Sequence, residues 1–159
     1  LSHIPISESS VLCECGKRGC LETEASLRVV AQKAIGEIKK GKVSRLQATD
    51  SPEQMIESIM KAANQGDQYA IELVSDVGHK IGKAAAILIH IVNPELIILS
   101  GRGAEVGKIL IAPIQQALNR YCIPRLSEDT EVKVSQLGHD AGIISAAALA
   151  MQKFGDMAP

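Results

Sequence analysis

Cys13, Cys15 and Cys20 fall within eight positions of a chain that has only one other cysteine, Cys122. One residue separates the first two and four separate the second from the third, while Gly16 and Gly19 supply the tight backbone that lets three sulfurs converge. Thiolates grouped in this way form a metal knuckle, and zinc completes a tetrahedron from thiolate and imidazole. His3, with nine residues between it and Cys13, is the nearest fourth donor, giving the pattern His-x9-Cys-x-Cys-x4-Cys. A site closed by four protein ligands leaves no position for water, so the expected zinc is structural. Two plainer readings compete, a disulfide or free buried thiols. A bridge across one intervening residue is geometrically awkward. No charged stretch followed by an apolar one stands at the start of the chain to suggest export into an oxidising compartment. Cys122, in RYCIP at an expected helix end, reads as a small core residue.

The elements that must carry these residues are mostly helical. In SLRVVAQKAIGEIKK, Leu27, Val30, Ala31, Ala34 and Ile38 recur at helical spacing and form one apolar stripe, with Gly41 as the stop. DSPEQMIESIMKAANQG opens with Asp50 or Ser51 as cap and Pro52 in the first turn, and Gly66 closes it. A long helix is expected over about 68–92, ended by Pro94. ELIILSG has the length and β-branching of a buried parallel strand. A helix over about 104–121, interrupted by Pro113, a strand EVKVSQ and a last helix over about 141–154 complete an α/β pattern with a parallel sheet of at most three visible strands. The remainder of the sheet is expected in chain upstream.

At 159 residues the chain suits one domain with a real core. Its 46% hydrophobic and 22% charged residues and its net charge of -1 exclude a disordered chain and leave no basic surplus to recruit nucleic acid. The most apolar run, Ala84 to Val92, contains His90 and follows Lys80 and Lys83, so it is too short and too punctuated to span a bilayer and reads as buried helix. Because the chain opens at Leu1 rather than Met, a longer parent protein is expected, cytoplasmic in the absence of an export signal.

HIPI, with its histidine ahead of CECGKRGCLE, followed by NPELIILSG and LGHDAGIISAAALA, resembles the C-terminal lobe of the ROK family of repressors, open reading frames and kinases. The likeness spans nearly the whole chain and implies one domain over 1–159, with 1–22 as zinc knuckle and sugar-site segment. It implies an α/β fold class, the C-terminal lobe of an actin-like, ribonuclease-H-like ATPase fold in which sugar binds between two lobes. By that resemblance His3 ligates zinc through one ring nitrogen and faces the sugar with the other, while Glu22 hydrogen-bonds sugar hydroxyls. Without the resemblance, Glu22 is an acid near a helix start, where it favours the dipole.

The departures separate the family's branches. Ser2 stands where the family's sugar motif has glycine, and the motif's glutamate would precede Leu1. The Asp-Gly-Gly-Thr phosphate loop, the Asn-Asp pair with the kinases' general base and a second glycine-rich phosphate loop are not in this sequence. Phosphoryl transfer needs a positioned base and electrostatic support for the phosphate oxygens, so this stretch alone is not a kinase. In SGRGAEVGK, Gly101 and Gly103 occupy the kinases' nucleotide-contacting glycine run, but Ser100 and Arg102 interrupt it and restrict close backbone approach. Read plainly, those glycines form a strand-to-helix turn. AEVGKILIAPIQQALNRYCIPRL resembles the repressor branch. The expectation is a sugar-sensing, effector-binding and oligomerisation domain of a transcriptional regulator. Its ligand would be a sugar or sugar phosphate, its assembly a homodimer or higher homo-oligomer, and its DNA contact would come only through a separate N-terminal region. The alternative is the C-terminal lobe of an ATP-dependent hexose or N-acetylhexosamine kinase. His79 and His90 share one face of the long helix as ordinary helix histidines, and Asp140, after His139, reads as the cap of the last helix.

Overall fold

A computed structural model describes residues 1–8 and 11–154. The N-terminal stretch is irregular and is tied by two isolated antiparallel bridges, Pro5 to Cys20 and Leu12 to Arg18. Among the described residues seven helices and two strands follow: α1 (Leu21–Ala25), α2 (Leu27–Lys39), α3 (Pro52–Asn64), α4 (Gln68–Val92), β1 (Leu96–Leu99), α5 (Gly107–Tyr121), α6 (Pro124–Glu128), β2 (Glu131–Val134) and α7 (Ala141–Phe154). Short 3-10 turns, Arg102–Val106 and Gly138–Asp140, precede α5 and α7.

The helix starts have local causes. Ser26 accepts from the Val29 amide ahead of α2, Ser51 from Gln54 ahead of α3, and Asp67 from Ala70 ahead of α4. Pro52 occupies the first turn of α3, where its missing N–H costs nothing. Asn93, left-handed at φ 42°, ends α4 just before Pro94. Of the two caps expected for α3, Ser51 is the one used. The helix expected from 104 begins instead as a 3-10 turn closed by Ala104 N–H on the Gly101 carbonyl, and α5 starts at Gly107. No side chain caps that start, which leaves the tighter turn to satisfy it.

The body is an apolar helical core. Val30 and Ala34 of α2, Met55 and Ile59 of α3, Leu73, Val77 and Ile89 of α4, and Leu110, Ile114 and Leu118 of α5 are all buried. Helix α5 packs tightly on α4 at Gly82, where an added Cβ would lie 2.6 Å from the Ile114 carbonyl oxygen. In the run Ala84 to Val92, Ala84, Ala85, Ala86 and Ile89 are buried and Ile87 and Leu88 half-buried, but His90, Ile91 and Val92 are exposed in the last turn.

β1 and β2 pair in parallel, Leu96 opposite Glu131 and Leu99 opposite Val134, with α5 and α6 as the crossover. They are the only two strands among the described residues. Ile97, Leu99 and Val132 pack on the core, whereas Leu96 and Ile98 face outward, 43% and 59% exposed. Ile143 and Leu149 of α7 are exposed as well.

Candidate metal centre and the adjoining surface

The knuckle is built by backbone rather than by apolar packing. The Cys13 N–H donates to the Lys17 carbonyl (2.8 Å) and the Gly16 N–H to the Cys13 carbonyl (2.9 Å), closing a tight loop that Gly16 completes at φ +84°. Gly19, at φ +67°, admits the crossing chain: a Cβ there would sit 2.0 Å from the Ser7 carbonyl oxygen. The Ile6 N–H then reaches the Gly19 carbonyl at 2.8 Å.

These turns bring together the four donors expected from the sequence. One ring nitrogen of His3 and the Sγ atoms of Cys13, Cys15 and Cys20 all lie within 4.8 Å of one another. Cys13 Sγ stands 3.5 Å from His3 Nδ1 and Cys15 Sγ 3.6 Å from Cys20 Sγ. Sulfurs sharing a tetrahedral zinc lie about 3.8 Å apart, so the cluster fits that ion in donor type, number and spacing. All four cysteines are free, which removes the disulfide reading. The thiols are unlike one another. Cys15, helped most by the Lys17 backbone N–H, is lowered to about 7, whereas burial, reinforced by the neighbouring thiols, raises Cys20 to about 11. A bound metal would hold both as thiolates.

His3 turns Nδ1 to Cys13, which leaves Nε2 for another partner, and its side chain is exposed. Two amides of the next turn close on either side of it: Leu21 N–H donates to the Ile4 carbonyl (3.0 Å) and Glu22 N–H to the Ser2 carbonyl (2.8 Å). Glu22 is thereby brought beside the His3 segment, exposed at the start of α1.

The other singled-out residues lie elsewhere. Gly101 adopts φ +84° after β1 and donates to the Gly138 carbonyl at 3.3 Å. Gly103 lines an apolar cavity of about 280 Å³ with Ser26, Ile59, Val77, Ser100 and Arg102, none of them a knuckle ligand. Cys122 is a buried core residue whose thiol burial holds above its usual range. His79 stacks edge-on against Tyr121 with centroids 5.8 Å apart, and His90 spans the Ala86 carbonyl and the Ile123 N–H, so both serve packing. Asp140 closes the turn directly ahead of α7, and the His139 side chain lies outside the described residues.

Sequence reasoning treated Lys80 and Lys83 only as punctuation in an apolar helix. In the structure both reach back to the N-terminal segment: Lys80 Nζ donates to the Glu24 carbonyl (3.0 Å) and Lys83 Nζ to that of Ile6. Their one visible signal was two cations three apart on a helix otherwise rich in apolar residues.

The ROK family model matches residues 1–153. The chain belongs to the ROK family. It is 34% identical over 161 residues to a glucokinase of Halalkalibacterium halodurans, covering 99% of this chain and 48% of that protein. It is likewise 34% identical over 143 residues to the DNA-binding transcriptional dual regulator NagC of Escherichia coli, covering 90% of this chain and 34% of that one. A solved ROK family transcriptional regulator, described as a homologue of the E. coli MLC protein, superposes with TM-score 0.77 at 34% identity, over 84% of this chain and 33% of its own. The chain thus spans about half the length of the glucokinase and a third of the regulator. These ROK neighbours fit an actin-like ATPase-type α/β fold, and both repressors and sugar kinases stand among the relatives. No helix of the described residues is long and apolar enough to cross a membrane.

Proposed function

We propose that this chain is the sugar-sensing and oligomerising part of a cytoplasmic ROK-type transcriptional regulator, a C-terminal lobe over 1–159 whose DNA contacts come from a region outside this sequence. The observation that carries the sugar reading is the pair of backbone hydrogen bonds that sets Glu22 beside the His3 segment, with His3 Nδ1 turned to the thiols and Nε2 left over. An imidazole nitrogen and a carboxylate on adjoining backbone segments suit sugar hydroxyls, one donating or accepting and the other accepting. Zinc held by His3, Cys13, Cys15 and Cys20 would fix the ring, as metal ligation fixes the tautomer and orientation of a histidine. Sugar bound there favours one arrangement of lobes and so shifts the population of DNA-competent homodimers or higher homo-oligomers.

The regulator branch is supported by Ser100 and Arg102 in the glycine loop and by the similarity to NagC. Titrating the full-length protein on its operator with D-glucose, N-acetyl-D-glucosamine and their 6-phosphates, followed by fluorescence anisotropy, tests the reading. Release by one of these supports it, and retention with all of them counts against it.

A kinase lobe is the second reading, favoured by the apolar cavity beside Gly103, whose lining suits a planar base, and by equal similarity to a glucokinase. Gly101 and Gly103 would then face the nucleotide. Sugar-dependent ATP consumption by the full-length protein would establish it.

A further inference from the structure

Ile6 is the hinge between the knuckle and the helical body. Among the described residues ahead of Cys13 it is the one that is buried, and its N–H is committed to the Gly19 carbonyl, next to the candidate ligand Cys20. Its own carbonyl points the other way and accepts from Lys83 Nζ on α4, 77 residues later. The same ammonium sits 5.3 Å from the centroid of Tyr121, the last residue of α5.

Lys83 differs from its neighbour one turn earlier. Lys80 is balanced by carboxylates, with Asp76 Oδ2 at 2.9 Å and Glu24 Oε2 at 3.6 Å. Among the described residues Lys83 has no carboxylate within ion-pair distance, although it is half-buried between Gly82 and Ala84. A half-withdrawn ammonium is costly without compensating anionic character. Three thiolates, one neutral imidazole and a Zn2+ ion carry one net negative charge, and Gly19 and Ile6 link that cluster by backbone to the carbonyl that Lys83 holds.

We propose that Lys83 is a positioning residue of the candidate sugar site. By gripping the Ile6 carbonyl it seats the knuckle on α4 and sets the angle at which His3 and Glu22 meet the ligand. Its influence runs through Ile6, Gly19 and Cys20 to His3. The proposal rests on reading His3 and Glu22 as sugar-facing residues.

The test uses the full-length protein and the variants Lys83→Met, which keeps the stem without the donor, Lys83→Gln, and Lys83→Arg, which keeps charge and donors. Zinc per chain, the ligand-field spectrum of the Co(II)-substituted protein, far-ultraviolet dichroism, and the Kd for D-glucose and N-acetyl-D-glucosamine are measured on each. Lys83→Met should keep its zinc and helicity, shift the cobalt bands, and weaken sugar binding about tenfold, at the low end of what outer-shell partners of metal ligands show. Lys83→Arg should return both readouts to within about twofold of wild type. A wild-type cobalt spectrum in Lys83→Met overturns the proposal, as does loss of zinc from a Lys83→Met protein that keeps its helicity, which would make the lysine a structural strut. If Lys83→Met fails to fold, a Lys83→Gln protein with wild-type cobalt bands overturns it and one with shifted bands sustains it. If the wild-type protein binds neither sugar, the reading of the site fails, while the cobalt spectra still decide whether Lys83 orients the knuckle.

Discussion

The knuckle segment, residues 1–8 and 11–20, and the α2–α5 body reach order by opposite means. In the body, side chains such as Met55, Ile89, Ile114 and Leu118 are withdrawn from water almost completely, and stability is spread over many contacts. In the knuckle, Val11 and Leu12 stay 50% and 62% exposed, and order depends on a few backbone hydrogen bonds and four converging donors. The difference teaches that damage should be graded in one region and abrupt in the other, because a ligand set either closes on its ion or does not.

The largest effect should come from Cys20→Ser. It replaces a buried donor of the candidate metal centre, and zinc affinity should fall by more than about a hundredfold, beyond what outer-shell changes cost. Metal analysis should then find no stoichiometric zinc, while helical dichroism persists. Collapse of the body on chelation would break the contrast. Next comes Ile114→Ala, which opens a cavity under α4 and should cost about 2–5 kcal/mol in denaturant unfolding without changing zinc content. Gly82→Ala should cost about 1–3 kcal/mol by overpacking, since its methyl would meet the Ile114 carbonyl at 2.6 Å and Ala117 Cβ at 2.7 Å.

Asp67→Ala should lose about 2 kcal/mol, because this one carboxylate caps α4 and holds the loop through Ser44 Oγ and the Arg45 amide, both at 2.8 Å. Burial alone would raise the Asp67 carboxyl, yet the Arg45 and Ala70 amides and the Ser44 hydroxyl outweigh it and hold it below its usual range. A carboxyl lowered by folding stabilises above its unfolded value, near pH 4, and that contribution fades as pH falls through the lower native value. The gap between wild type and Asp67→Ala should therefore narrow in acid, as denaturant midpoints at pH 7 and pH 3 would register. The gentlest comparison is the pH dependence of zinc affinity. Metal displaces the proton that Cys20 keeps up to about 11 and part of the one that Cys15 loses near 7, so affinity should rise steadily from pH 6 to pH 8 in a competition titration with a chromogenic chelator.

What could be read directly from sequence was local. The candidate donor set stood out through residue type and spacing, and the helix bounds through Asp50 or Ser51 before Pro52 and through Pro94. What could not be read was contact at a distance. Nothing in the order of residues joins Lys83 to Ile6. Gly78 and Gly82 look like weak points by helix propensity, yet α5 packs against both with no comfortable room for a Cβ. Glu22 had no distinguishing local signal, because an acid in a first turn has an ordinary explanation in the helix dipole. Its place beside the His3 segment came only with the two amide bonds that fold α1 back on residues 2–4.

The contact at Gly82 also has a mechanical consequence. Where α4 passes Ile114, main chain bears on main chain with no flexible side chain to take up movement, and protein interiors compress little. The next residue, Lys83, takes hold of the knuckle, and its ammonium rests on Tyr121 at the far end of α5. The knuckle, α4 and the last residue of α5 therefore meet at one ammonium, directly beside the position where the two helices leave no room for a Cβ.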